Sequence, residues 1–168
     1  MIFPIMPITP AEFIKKWSRV ALSERSSYQQ HFLDLCELAG HPKPAESDPT
    51  GDSFCFERGA AKQGGGDGWA DVWKRGCFAI EYKGRHANLA KAYEQLLRYR
   101  ASLENPPLLV VCDTDTIEIH TNFTGTAEAI HRFSTAELDA AVAAAYGFPS
   151  DLSSYDIITR LLALSCVP

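Results

Sequence analysis

Residues 69–83 read WADVWKRGCFAIEYK, a pattern that predicts a β-hairpin. Aromatic and β-branched residues, which favour strands, run up to the turn Lys74-Arg75-Gly76, and a second apolar run leads away from it. Three charged residues interrupt these runs: Asp71, Glu81 and Lys83. Glu81 and Lys83 are two positions apart and share one face of a strand. Because charges on a buried sheet are costly, these three residues are the first candidates for chemistry.

The length of the turn decides whether Asp71 lies on that same face. A two-residue Arg75-Gly76 loop would pair Asp71 with Ile80 and direct its side chain to the opposite face. A three-residue loop with Gly76 in the left-handed conformation is a common alternative, and it pairs Asp71 with Ala79.

We predict the three-residue loop, Lys74-Arg75-Gly76. It pairs Trp73 with Cys77 and sets Glu81 diagonal to Asp71 on one face, at a Cα separation of about 7–8 Å. The opposite face then carries four apolar or aromatic side chains, which suits a sheet that is covered on both sides: Val72, Phe78, Ile80 and Tyr82.

Two carboxylates at this spacing can bind one divalent cation. Mg²⁺ prefers oxygen ligands and keeps several waters, so we expect Asp71 and Glu81 to hold it with the backbone carbonyl near Tyr82, and Mn²⁺ to substitute. The metal would lower the pKa of a bound water and neutralise charge on a phosphodiester. Lys83 would orient or deprotonate that water, or hold the scissile phosphate. The plain alternative is a hairpin with surface charges, since Glu-x-Lys alone is common.

The spacing of Asp71, nine intervening residues and Glu81-Tyr82-Lys83 resembles the PD-(D/E)XK nuclease signature. Residues 23–40, SERSSYQQHFLDLCELAG, and residues 89–99, LAKAYEQLLRY, resemble two helices in the amino-terminal domain of MmeI-like (type IIG/IIL) restriction-modification enzymes. Within the second segment, Gln95 and Tyr99 match the Gln-x-x-x-Tyr spacing of RecB-like nucleases. Ala70 stands where the signature's name has Pro, a position that such nucleases keep loosely.

This resemblance implies a restriction-endonuclease-like α/β fold and a metal-dependent endonuclease that hydrolyses double-stranded DNA in a restriction-modification or phage-defence system. It also implies a fused or associated adenine-specific DNA methyltransferase and a target-recognition domain. Residues 1–168 carry no Asn-Pro-Pro-Tyr motif, so we expect one nuclease-like domain that is part of, or derived from, a longer polypeptide. The alternative is a non-cleaving nuclease-like domain that binds DNA or a partner in a defence methyltransferase.

Further residues become candidates through the same resemblance and through local charge. An acidic residue on the first helix can assist the metal in such nucleases, which points to Glu24, and Gln95 would hydrogen-bond near Lys83 or a phosphate. A basic patch around the proposed site suits a DNA backbone. The backbone candidates are Lys74, Arg75, Arg85, His86 and Tyr99, the last of which is equally consistent with a core residue.

Length and charge limit the remaining choices. A chain of 168 residues predicts one domain. The net charge of −5 argues against strong DNA affinity of its own, because free-standing DNA-binding domains are usually basic. The five cysteines form no Cys-x-x-Cys pair, which favours free thiols and a cytoplasmic protein. No apolar run approaches the length of a membrane span.

The predicted element order is helix, helix, three strands, helix, two strands and a helix. A capping box at Thr9-Pro10-Ala11-Glu12 opens the first helix. Strands are predicted over 53–57, 107–112 and 117–120 besides the hairpin, with a glycine-rich loop over 58–68. Further helices are predicted from the capping box at 134–137 to Gly147 and over 155–165. This order predicts an α/β fold with a mixed central sheet flanked by helices.

Overall fold

The computed structural model describes residues 8–20, 24–61 and 67–135, and its strands form one mixed sheet in chain order. All neighbouring strands are antiparallel except β3 and β4, which are parallel and are connected by a helix. The predicted α/β fold with a mixed sheet is confirmed. The strands are β1 (Phe54–Ala61), β2 (Asp67–Lys74), β3 (Phe78–Tyr82), β4 (Leu108–Cys112), β5 (Thr116–Thr121) and β6 (Ile130–Ser134).

The described helices are α1 (Pro10–Trp17), α2 (Glu24–Leu38), α3 (Pro44–Ser47) and α4 (Leu89–Tyr99). The predicted capping box is confirmed, since the Thr9 hydroxyl accepts from the Glu12 N–H and the Glu12 carboxylate accepts from the Thr9 N–H. The side chain of Asn88 caps α4 by accepting from the N–H of Lys91 at 3.2 Å. The helices predicted to end at Gly147 and over 155–165 lie outside the described residues. No helix in the described ranges is long and apolar enough to cross a membrane.

The β2–β3 hairpin has a three-residue turn, but its register differs from the predicted one. Trp73 pairs with Ala79 and Lys74 with Phe78, so the predicted pairing of Trp73 with Cys77 is wrong. Cys77 is the last residue of the turn, because its N–H donates to the carbonyl of Lys74 at 3.0 Å and its side chain is buried. Since the pairing shifts by two residues, the paired side chains of the hairpin stay on their predicted faces: Val72, Phe78 and Ile80 on one face, Trp73 and Ala79 on the other.

The turn and the apolar face of the hairpin agree with the sequence. Gly76 has φ +67°, the left-handed conformation that the turn requires. The four residues predicted for the apolar face belong to one buried cluster, which includes buried residues of α1 and α2: Val72, Phe78, Ile80 and Tyr82.

A second buried cluster covers the other face of the sheet and includes α4. Trp73 is fully buried there, and its indole N–H donates to the carbonyl of Leu103 at 2.9 Å. Leu96 and Leu109 pack in the same cluster. The sheet is therefore covered on both faces, as its near-continuous apolar central strands require.

Strand β1 is longer than the predicted 53–57. It continues to Ala61, and β2 begins at Asp67, so much of the predicted 58–68 loop is a two-stranded ribbon. A glycine permits its packing, because a Cβ at Gly68 would lie 2.5 Å from the Tyr99 ring on α4. The short α3 and β6 were not predicted from the sequence, and of the five residues of β6 only Phe133 is buried.

Candidate functional site

Glu81 lies near the end of β3 and is almost completely buried, with 3% of its surface exposed. The ammonium of Lys83 donates to its Oε1 at 2.6 Å, and the amide of Gln95 on α4 donates to the same oxygen at 2.5 Å. Hydrogen bonds to a charged group are the strong kind, so these two donors stabilise the carboxylate form. The structure thus brings together three residues that the sequence predicts for the site.

Asp71, which lies on β2, contacts the backbone of β3 next to Glu81. Regular pairing between β2 and β3 covers Val72 to Lys74 and does not extend to Asp71. Beyond it, the backbone N–H of Tyr82 donates to Oδ2 of Asp71 at 2.6 Å, so a side chain takes the position of a strand carbonyl. Because Tyr82 follows Glu81 directly, the Asp71 carboxylate contacts the peptide unit next to the Glu81 carboxylate.

The strand conformation changes at the point where Asp71 stands. Ala70 and Trp73 belong to the α4-side cluster and Val72 to the opposite one, so the simple alternation of faces is broken between Ala70 and Val72. The pairing with β1 resumes at Arg58 and Ala70, and the intervening β1 residue, Glu57, has φ +53°. Such a conformation is uncommon for a residue other than glycine and marks a local irregularity next to the candidate site.

Lys83 is held by its backbone as well as by Glu81. Its N–H donates to the carbonyl of Cys112 on β4 at 2.8 Å, which extends the contact between β3 and β4 past Tyr82. A quarter of its side chain remains exposed, at 25%, against 5% for the Glu81 side chain. The ammonium therefore lies between a buried carboxylate and the solvent, where a ligand can approach it.

Tyr99 lies one helical turn after Gln95, and it is buried. Burial raises the pKa of the Tyr99 hydroxyl, and the nearby Glu81 carboxylate raises it further, while a hydrogen bond with Gln95 lowers it. Gln95 therefore connects Glu81 with Tyr99. Gln95 and Tyr99, which match the Gln-x-x-x-Tyr spacing, therefore both lie near the Glu81 carboxylate. A contact between Tyr99 and DNA stays a prediction.

Lys74 and Arg75 lie at the turn end of the hairpin. Phe78, the partner of Lys74, precedes Glu81 by three residues, a distance of about 10 Å along the strand. Lys74 contacts Nε2 of His41 at 2.9 Å, and Arg75 forms an ion pair with Glu104 at 3.1 Å. The structure does not bring these two cations to the carboxylates.

The segment after Lys83 carries two further candidates. Arg85 forms an exposed ion pair with Asp115 at 3.3 Å, and the N–H of His86 donates to the carboxylate of Asp113 at 3.0 Å. Glu24 is the first residue of α2, and its side chain lies outside what the structure describes. The assignments of Arg85, His86 and Glu24 stay predictions.

Beneath the site, Tyr82 is anchored in the opposite face of the sheet. Its hydroxyl lies 2.9 Å from Nδ1 of His31 on α2, and both side chains are buried. Burial lowers the pKa of His31 to about 3 and raises the pKa of Tyr82 well above its usual value, so both are neutral near pH 7. The pair fixes the β3 residue whose N–H binds Asp71.

The pKa of His31 predicts a loss of stability in mild acid. The unfolded chain protonates this residue near pH 6.5, whereas the folded chain does so near pH 3, so its contribution is complete above pH 6.5 and falls as the pH is lowered. We expect the wild type to lose about 2 kcal/mol more than His31→Gln between pH 6.5 and 5. Urea denaturation at both pH values measures this. Equal losses in the two proteins would contradict the buried, neutral His31.

Within the described ranges, no group of three or more His, Cys, Asp or Glu side chains has the geometry of a metal site. The candidate here is of another kind, with two carboxylates and a backbone carbonyl. Such sparse protein ligation suits Mg²⁺, which retains waters and takes the remaining ligands from its substrate. The donor chemistry of Asp71 and Glu81 therefore fits a hard cation.

The family described as MmeI, N-terminal domain, matches residues 8–153, most of the chain. The chain belongs to this family. No curated protein matches the sequence.

Among solved structures, this MmeI N-terminal-family chain is similar to a protein in a cryo-EM structure of a DrdV–DNA complex. The similarity has a TM-score of 0.53 at 14% identity, and it covers 91% of this chain and 13% of that protein. At this identity the likeness shows the fold alone. The family is thus that of the MmeI N-terminal domain, and the fold is restriction-endonuclease-like.

Proposed function

We propose that this domain is a Mg²⁺-dependent deoxyribonuclease that hydrolyses phosphodiester bonds of double-stranded DNA in a restriction-modification or phage-defence system. One observation supports the proposal: beyond the last regular pair of β2 and β3, Asp71 binds the β3 backbone directly after Glu81, and Glu81 binds Lys83. Asp71 binds the Tyr82 N–H at 2.6 Å, and Lys83 binds Glu81 at 2.6 Å. Binding of DNA or a partner would not by itself require a buried carboxylate beside a second carboxylate and a lysine.

Asp71 and Glu81 would hold the metal, with Mn²⁺ as a substitute, and the Tyr82 carbonyl would complete the protein ligands. When bound, the ion supplies an activated water and neutralises charge on the phosphate. Gln95 keeps the Glu81 carboxylate in one orientation through its amide N–H. Asp71 is held in turn by the backbone of β3.

Lys83 has two possible roles in hydrolysis. Its ammonium contacts Glu81 and retains solvent access, so it can contact a non-bridging phosphate oxygen or the attacking water. As a compact charge with three donors, it can contact the carboxylate and a substrate oxygen together. Either contact favours the transition state, in which negative charge builds up on the phosphate.

The other candidate function is a non-cleaving nuclease-like domain of a defence methyltransferase. The net charge of −5 favours this second function, because an acidic chain is expected to have a low affinity for DNA on its own. In both cases we propose that a fused or associated adenine-specific methyltransferase and a target-recognition domain deliver it. This chain spans only 13% of the length of the DrdV-complex protein, which leaves ample room for such domains there.

A cleavage assay tests the enzyme against its non-cleaving rival. The parent protein, or this chain tethered to a DNA-binding partner, is incubated with plasmid DNA in Mg²⁺ or Mn²⁺, with EDTA as the control. We expect nicked or linear products that disappear with EDTA. If neither arrangement cuts DNA, the non-cleaving function becomes the better account.

A further inference from the structure

The outer surface of α4 carries a cleft next to the candidate site. It has a volume of about 380 Å³ and is lined by Lys91, Glu94, Gln95, Arg98 and Tyr99. Lys91, Glu94 and Arg98 are exposed, whereas Tyr99 is buried and forms the floor. The cleft is thus a charged surface depression, unlike an apolar ligand pocket.

Two of the residues that line this cleft are cations. Lys91 and Arg98 are seven residues apart, which is two helical turns, so they share one face at a separation of about 10 Å along the axis. If the helix lies along the DNA axis, on which one strand advances about 3.4 Å per nucleotide, this separation corresponds to roughly three nucleotides. In the part of the chain that the structure describes, neither side chain forms an ion pair with a carboxylate.

Gln95 joins the cleft to the carboxylates. It lies four residues after Lys91 and three before Arg98, so it shares their face of the helix. Its amide donates to Oε1 of Glu81, the oxygen that also binds Lys83. A strand whose scissile phosphate reaches Lys83 would therefore continue across Gln95 into the cleft.

We propose that this cleft binds the phosphodiester backbone of the strand being cut, with Lys91 and Arg98 contacting phosphates beside the scissile one. The proposal rests on the proposed nuclease function and adds the path of the DNA. It selects different cations from those that the sequence favoured, because Arg75 and Arg85 are engaged with Glu104 and Asp115. Among the described residues, Lys91 and Arg98 form no such ion pair and flank Gln95, which binds Glu81.

Glu94 allows a second test of the proposal, because its removal is expected to change the DNA affinity in the opposite direction. It lines the cleft between the two cations and is exposed. A carboxylate in this position repels a phosphate, so it weakens the binding that Lys91 and Arg98 favour. Its removal should therefore strengthen DNA binding, whereas removal of either cation should weaken it.

The test measures the fluorescence anisotropy of a labelled DNA duplex titrated with the full chain in EDTA, where binding proceeds without cleavage. We expect Lys91→Gln and Arg98→Gln each to raise the Kd and to lower the salt slope of log Kd by about 0.9. The affinity lost between about 50 and 200 mM salt should then be about 3.5-fold smaller than in the wild type. Glu94→Gln should lower the Kd. The matched control, Arg75→Gln, removes an exposed arginine at the turn end of the hairpin. It should change neither the Kd nor the salt slope.

The outcomes separate this inference from the proposed function. The proposed DNA-binding role of the cleft is contradicted if the wild type shows no measurable binding at low salt. It is also contradicted if Arg75→Gln changes the Kd and the salt slope as much as Lys91→Gln and Arg98→Gln do. If the wild type nevertheless cuts DNA in Mg²⁺, the nuclease function stands without it. If the binding pattern is as expected but no arrangement cuts DNA, the cleft stands and the nuclease function fails.

Discussion

Replacing Lys83 is expected to reduce the rate of DNA cleavage by about 10²–10⁴-fold, the usual contribution of a positioned acid–base or charged group. The reason is geometric, since its ammonium lies 2.6 Å from Glu81 and is the exposed member of that pair. Lys83→Gln is the better variant, because it removes the charge and keeps an N–H donor for Glu81. The measurement is single-turnover cleavage by the tethered or parent protein in Mg²⁺.

The matched control is Lys74→Gln, which removes a half-buried lysine at the turn end of the same hairpin. It should cut at the rate of the wild type. A Lys83→Gln protein that cuts as fast as Lys74→Gln would show that the candidate site is not catalytic. Lys83→Ala is a poorer probe than Lys83→Gln, because it leaves the buried Glu81 without one of its donors, at a cost of about 1–3 kcal/mol.

Trp73→Ala is expected to lower the free energy of unfolding by about 3–5 kcal/mol. Trp73 is fully buried, its indole N–H binds the carbonyl of Leu103, and Arg58 lies over its ring at 4.3 Å. Truncation opens a cavity beneath α4 and leaves the Leu103 carbonyl without this donor. Urea denaturation followed by circular dichroism measures the change.

Trp69 supplies the control for this prediction, since it lies on the same strand with 55% of its surface exposed. Trp69→Ala should cost less than about 0.5 kcal/mol. Equal losses from the two substitutions would mean that the α4-side cluster does not hold the hairpin in place.

The hairpin was readable from the sequence because its evidence is local. Strand-forming residues, a glycine in the turn and the alternation of side chains all lie within residues 69–83. The exact register was not readable, because either residue 74 or residue 77 could belong to the turn. The structure assigns the position to Cys77, whose burial depends on contacts with distant elements.

The position of the basic patch could not be derived from sequence distance. Lys74 and Arg75 are close to Asp71 in the chain, yet the strand carries them about 10 Å from Glu81. Lys91 and Arg98 are more distant in sequence, but the contact between Gln95 and Glu81 brings their helix face to the site. This contact is tertiary, so only the match of Gln95 and Tyr99 to a known spacing hinted at it.

The irregularity in β2 at Asp71 could not be predicted from the sequence either. A regular two-stranded pairing would have presented Asp71 like any other strand residue. Instead, its carboxylate replaces a backbone acceptor for the N–H of Tyr82, opposite a β1 residue with positive φ. Glu57 does not belong to a residue type that marks such a conformation in a sequence, as glycine does.

Counting bound Mn²⁺ by electron paramagnetic resonance tests the central claim most directly, because it requires neither DNA delivery nor turnover. The account predicts one site in the wild type that Mg²⁺ displaces and that both Asp71→Asn and Glu81→Gln abolish or greatly weaken. Asp71→Asn retains an oxygen that can accept from Tyr82, so a loss of binding would report the missing charge. If both variants bind Mn²⁺ like the wild type, or the wild type binds none, then Asp71 and Glu81 do not form a metal centre.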